Sequence, residues 1–313
     1  RMKNNRKEGA ISREHCKTER GYLENHIKPY FENMRLSAIK KHHIENWILA
    51  LKGKVKDSTI NHLLRNLKVI MRFAFDQGYI HSNPAQKVEQ IHAKSPERGI
   101  LTIDEVKALF DPQNITNVWG DDLIRYTLKL FSAATGVRKG EALGLLNRYV
   151  YKDHVEIVNS YGQITKDLKS TKSKRSRYIP IPSTVSSYLQ RIKGPDPDGF
   201  VFSFYDGIIP YPSRRVTTNL YNALDKIGVK KKDREARHIT FHSWRHFFNT
   251  YMRGENITDS KVQAVTGHLT QTMTDHYTHF EVSHYREVIK AQEKLFKNKN
   301  SKEKTHGKKK PEK

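Results

Sequence analysis

The chain has 313 residues, enough for two domains with their own apolar cores. Its 57 Lys and Arg against 33 Asp and Glu leave a net charge of +24; residues 297–313, with eight lysines and two glutamates, carry six of those charges, so the body of the chain is itself basic. That balance favours a polyanion, nucleic acid ahead of a membrane surface; no apolar run is long enough to span a bilayer, no signal peptide opens the chain, and one cysteine, Cys16, excludes an internal disulfide.

Residues 1–16 read as a basic, solvated lead-in, and the opening Arg1-Met2 reads as a fragment whose natural start lies upstream. Residues 17–85 read as a helical module. Ile44, Trp47, Ile48 and Leu51 recur at i, i+3, i+4, i+7 and make one apolar stripe. Asp57 and Ser58 suit the cap of the next helix, which lines up Ile60, Leu63, Leu64, Leu67, Ile70, Met71, Ala74 and Phe75 and stops near Gly78. Lys40, Lys41, Arg65, Lys68 and Arg72 fall on the outward faces and are candidate DNA contacts. Residues 86–99 lack periodicity and read as an interdomain linker. Residues 100–296 read as a second domain. It opens on a capping box, Thr102 with Glu105, and an amphipathic run from Leu123 to Ala134 stops at Gly136. The period then changes: Val155–Val158 and Arg177–Ile181 are β-type runs of a small antiparallel sheet, and the basic segment 166–176 between them makes a hairpin tip. Helices resume after Pro182 and near 213–227. Residues 297–313 read as a disordered basic tail. The fold class is therefore mainly α with a small antiparallel β-sheet, in two domains.

The chemistry-bearing residues come late. In a helix over 240–251, Trp244, Phe247, Phe248 and Tyr251 face a core, while His242, Arg245 and Asn249 point the other way. Alone, this is an ordinary solvated face. Thr258 caps a short helix with Val262 and Val265 that ends at Gly267, with His268 at its exit and Tyr277 nine residues on. Tyrosine is a poor nucleophile until its phenol loses the proton, and two arginines holding a phosphate favour a nearby phenolate. The set points to phosphoryl transfer onto a tyrosine without a metal.

Three segments carry this set in order: Ala134–Leu145, with Arg138-Lys139-Gly140-Glu141 inside it; His242-Ser243-Trp244-Arg245-His246; and Gly267-His268 with Tyr277-Thr278-His279. The lysine-bearing hairpin Ser170-Thr171-Lys172-Ser173-Lys174, followed by Arg177-Tyr178-Ile179-Pro180, belongs with them. Together they resemble the tyrosine site-specific recombinases, the integrases of phages and conjugative transposons, over roughly residues 17–296. Trp244 stands where an aliphatic residue is usual, and Thr266 where leucine is common. The resemblance implies a two-domain, C-shaped clamp on double-stranded DNA: 17–85 as core-DNA-binding domain and 100–296 as catalytic domain. It implies roles as well. Arg138, Arg245 and His268 hold the scissile phosphate, Tyr277 attacks it, His242 takes the phenol proton, Lys172 protonates the leaving 5′-oxygen, and Glu141 orients Arg138. Lys169, Lys174 and Arg175, neighbours of Lys172, contact the backbone. It further implies a homo-tetramer on paired sites, a monomer without DNA, no cofactor, no ATP and a cytoplasmic, nucleoid-associated setting. The helix ending at Phe296 docks either on a neighbouring subunit, as in the family, or on its own domain.

Two rivals of other classes are a metal-dependent nuclease and a DNA-binding protein without catalysis; a type IB topoisomerase shares the chemistry. Asp121-Asp122 and Asp225 make no organised acidic triad, and the stripe His238, His242, His246 lacks a carboxylate or cysteine ligand, so no metal site is expected.

Overall fold

Helices bury single apolar stripes in the first part of the chain and become buried on several sides in the second. In this computed structural model, residues 12–93, 99–171, 176–267 and 285–296 are described. The chain divides into two compact units, Arg1–Pro96 and Glu97–Lys313.

In the first unit, α1 (Arg13–Tyr22) starts inside the expected lead-in, because the Ser12 hydroxyl accepts the backbone N–H of His15 and caps it. A wider π turn, Leu23–Ile27, leads into α2 (Lys28–Phe31), where Pro29 brings no backbone N–H to a helical ladder. Then come α3 (Lys41–Leu51) and α4 (Asp57–Asp76). Ile44, Trp47 and Ile48 of α3 and Ile60, Leu63, Leu64, Leu67, Met71 and Ala74 of α4 form one core. Phe75, expected on that stripe, is exposed. It lies eight residues beyond Leu67, about 80° round the helix, and falls on the rim. The segment after α4 turns back rather than running free. Val88 is buried, and buried Asn61 brackets Ile91, donating to its carbonyl at 2.8 Å and accepting its N–H at 2.9 Å. Residues 86–91, expected as linker, are therefore fastened to the module.

The first described residue of the second unit is Gly99, whose N–H donates to the Arg237 carbonyl at 2.8 Å. Its first helices are α5 (Ile103–Leu109), α6 (Ile115–Trp119), α7 (Leu123–Thr135) and α8 (Lys139–Leu143). The expected capping box is present, with Thr102 and Glu105 satisfying each other's backbone N–H. From Tyr126 to Thr135, α7 is buried on every side and forms the centre of the core. Strands β1 (His154–Ile157), β2 (Asn159–Tyr161), β3 (Leu168–Ser170) and β4 (Arg177–Pro180) follow. β1 pairs antiparallel with β4, Val155 opposite Ile179, and β2 pairs with β3, Ser160 opposite Lys169. The expected single sheet is thus two ribbons. Beyond them lie α9 (Ser183–Ile192), the hairpin β5 (Ser203–Tyr205) and β6 (Ile209–Pro210), α10 (Ser213–Lys226), α11 (Lys231–Ala236), α12 (Ser243–Gly254), α13 (Asp259–Thr266) and α14 (Arg286–Phe296). Trp244, Phe247, Phe248 and Met252 of α12 pack into the core around α7.

Of the two expected seats for the last helix, α14 takes its own unit. Val288, Ala291 and Leu295 join the core, and fully buried Gln292 donates to the carbonyls of Ala134 at 2.7 Å and Pro180 at 3.2 Å. These carbonyls lie in the last turn of α7 and at the end of β4, and a buried amide satisfies both at once.

Candidate active site

The site grows from the end of α7. Gly136 stops the helix in the left-handed region, at φ 62°, and its N–H returns to the Ser132 carbonyl at 2.9 Å. A β-carbon there would stand 3.0 Å from the Phe248 ring, so α12 crosses against bare backbone. Two residues on, Arg138 caps α8. Its backbone N–H donates to Glu141 Oε2 at 3.0 Å, its Nη1 to Glu141 Oε1 at 2.9 Å, and its Nη2 to the Gly267 carbonyl at 3.0 Å. The side chain keeps 31% of its surface exposed, whereas Glu141 keeps 2%.

Glu141 holds a second arginine. Arg177 of β4 donates Nη2 to Oε2 at 2.7 Å and Nη1 to Oε1 at 3.2 Å, and its Nε to the Val265 carbonyl at 2.8 Å. Burial pushes the Glu141 carboxyl up, but Arg177 and then Arg138 outweigh it and hold the group below the usual carboxylate value. Arg245, one turn into α12, is 1% exposed and donates Nη1 to the Gly136 carbonyl at 3.1 Å. Burial first, then the neighbouring Arg138, brings its guanidinium down to about 9, with Glu141 the opposing influence and Arg177 a further like charge. Of the expected outward face of α12, Arg245 is therefore interior, held by the turn at Gly136, while His242 and Asn249 are half-buried. His242 caps α12, half-buried, its backbone N–H on Thr240 Oγ1 at 3.2 Å, and its ring stands edge-on to His246 with centroids 4.9 Å apart.

Arg138, Glu141 and Arg245 thus converge, with His242 one turn before Arg245 on the same helix. Lys172, Lys174, Arg175, His268 and Tyr277 lie outside the described residues, as do 297–313. Lys169 is half-buried on β3. Lys40, Lys41, Arg65 and Arg72 are exposed in the first unit and Lys68 is half-buried there; Lys41 pairs with Glu45 at 3.2 Å and Arg72 with Asp76 at 3.8 Å. Among the described residues no three metal-ligating side chains gather. Arg177 was not among the site residues expected from the sequence. Its signal was strand alternation: β4 turns Ile179 inward, and two residues earlier the same side carries a charge.

Chemically, three guanidinium groups face one carboxylate. The surplus of positive charge, partly desolvated on preformed scaffolding, suits a tetrahedral oxyanion whose charge grows during reaction.

Comparisons with known proteins agree in kind. A model described as the phage integrase family matches residues 100–284, and one for the phage integrase central domain matches 2–91. A tyrosine recombinase XerC-like protein of Caldanaerobacter subterraneus subsp. tengcongensis is 25% identical over 289 residues, covering 78% of this chain and 69% of that relative. Among solved structures, the Tn1549 transposon integrase in complex with a circular intermediate DNA is similar with TM-score 0.66 at 20% identity, over 89% of this chain and 94% of that one. A lambda integrase tetramer bound to a Holliday junction is similar with TM-score 0.64 at 16% identity, over 86% and 75%. The mainly helical fold with small antiparallel ribbons is shared with both.

Proposed function

Because the chain belongs to the phage integrase family, we propose that it is a tyrosine site-specific recombinase that cuts and rejoins double-stranded DNA through a 3′-phosphotyrosine intermediate, in the service of a mobile element. Arg138 and Arg245, with His268, grip the scissile phosphate. The Tyr277 oxygen attacks phosphorus, its proton passes to His242, and the bond to the 5′-oxygen breaks as Lys172 supplies that oxygen with a proton. The reverse steps, with a new 5′-hydroxyl, release the tyrosine and join the strands. One phosphodiester is exchanged for another, so the bond energy is conserved and no nucleotide is consumed. Lys40, Lys41, Arg65, Lys68, Arg72, Lys169, Lys174 and Arg175 contribute backbone contacts. The protein works as a tetramer on paired sites, a reading supported by the lambda integrase tetramer bound to a Holliday junction, and it acts in the cytoplasm on the nucleoid.

The observation that carries the proposal is the pairing of half-buried Arg138 with fully buried Arg245, set around a turn with a positive surplus. The test is covalent capture. Nicked duplexes from a randomised library are incubated with the protein in excess EDTA, and SDS-stable adducts are sequenced. An adduct is expected, and Tyr277→Phe abolishes it. Binding without an adduct, or cleavage that leaves DNA free of protein, overturns the proposal.

A further inference from the structure

We propose that Arg177 is a positioning residue of this reaction: it takes up the charge of Glu141, so that Arg138 remains a full cation toward the phosphate. The inference rests on the recombinase reading above.

Arg177 has no role in holding DNA directly. Its Nε and both Nη groups donate inward, to Val265 and to both oxygens of Glu141, and 11% of its side chain is exposed. Glu141 could serve Arg138 alone, through the bonds to its backbone N–H and Nη1. In that case one buried carboxylate would cancel the charge of the arginine nearest the site surface. With Arg177 present, Arg138, Arg177 and Arg245 face Glu141, and two positive charges remain. A phosphodiester carries one negative charge, and the phosphorane formed by in-line attack carries two. The cluster therefore matches the transition state better than the substrate, which is the condition for acceleration.

Arg177 also sets the place of Arg138. Gly267 lies at φ +67°, and a β-carbon on it would meet the Arg177 guanidinium at 3.0 Å. The same glycine's carbonyl accepts Arg138 Nη2. The Arg177 guanidinium is thus wedged between the carboxylate and the glycine that together aim Arg138. Among the described residues, buried Tyr285 also faces it.

A nicked duplex recovered in the capture experiment gives the test. The adduct-forming rate at saturating protein, DNA affinity by gel shift and melting temperature are measured for wild type, R177Q, R138A and E141Q/R177Q. R177Q is expected to bind DNA within about threefold of wild type while its rate falls roughly 100-fold, the scale seen when one transition-state donor is lost. The double variant is expected to recover at least about tenfold of that loss, because removing the carboxylate charge restores two net positive charges; a merely structural role would not be rescued this way. If R177Q does not hold its fold, E141Q/R177Q carries the test alone, since it removes the Glu141 carboxylate together with its Arg177 partner; a rate well above that of R138A supports the proposal. An R177Q rate within about threefold of wild type overturns it, as does a double variant no faster than R177Q or R138A. A wild type that traps no DNA overturns the recombinase reading itself.

Discussion

Arg245 keeps 1% of its surface and hydrogen-bonds backbone, an expensive place for a cation unless an anion is to be met there. A lysine at that position keeps the charge but loses the planar fork that reaches the Gly136 carbonyl and that, under the proposed function, addresses two phosphate oxygens. Arg245→Lys is expected to lower the covalent trapping rate by roughly 10²- to 10³-fold while gel-shift affinity changes little. A rate within about tenfold of wild type would remove Arg245 from the site. Arg138 and Arg245 were legible in the sequence because each stands inside an ordered segment. Arg177 was not read as a site residue, since a lone arginine in a short strand is more often a solvated charge.

Elements decide which of these groups meet. The glycine-ended α7, the capped α8 and the buried α12 converge because Gly136 lets Phe248 approach bare backbone. α14 closes the arrangement from behind: Gln292 takes the carbonyls of Ala134 and Pro180, four residues before Arg138 and three after Arg177. Gln292→Leu leaves both carbonyls buried without that donor and is expected to cost about 1–3 kcal/mol, read as a lower melting temperature. Trapping should fall more than DNA affinity, because the ends carrying the two arginines loosen together. An unchanged melting temperature would mean that α14 is not held by this amide. The stripes of α3 and α4 were plain in the sequence, whereas the all-round burial of α7 was not, and the seat of α14 was open between two choices. An amphipathic face specifies that a helix docks, not on which copy.

For the whole molecule, the +24 charge is spread through the body of the chain as well as residues 297–313. Affinity for duplex DNA should therefore fall steeply with salt. A log–log plot of binding constant against salt is expected to have a slope of about −5 to −9, for roughly six to ten phosphates neutralised. A slope near −1 would show that the basic surface is not laid along the backbone.

The sequence by itself determined the residue types of the proposed chemistry, their order, the helical character of both units and the positive charge. Each follows from local rules, namely periodicity, capping and charge count, which act over a few residues. Only the tertiary structure decided that Glu141 serves two arginines, that Arg245 is an interior cation and that α14 closes on its own unit. Those outcomes join positions 36, 109 and 158 residues apart, and no local period encodes which carboxylate a distant guanidinium will reach.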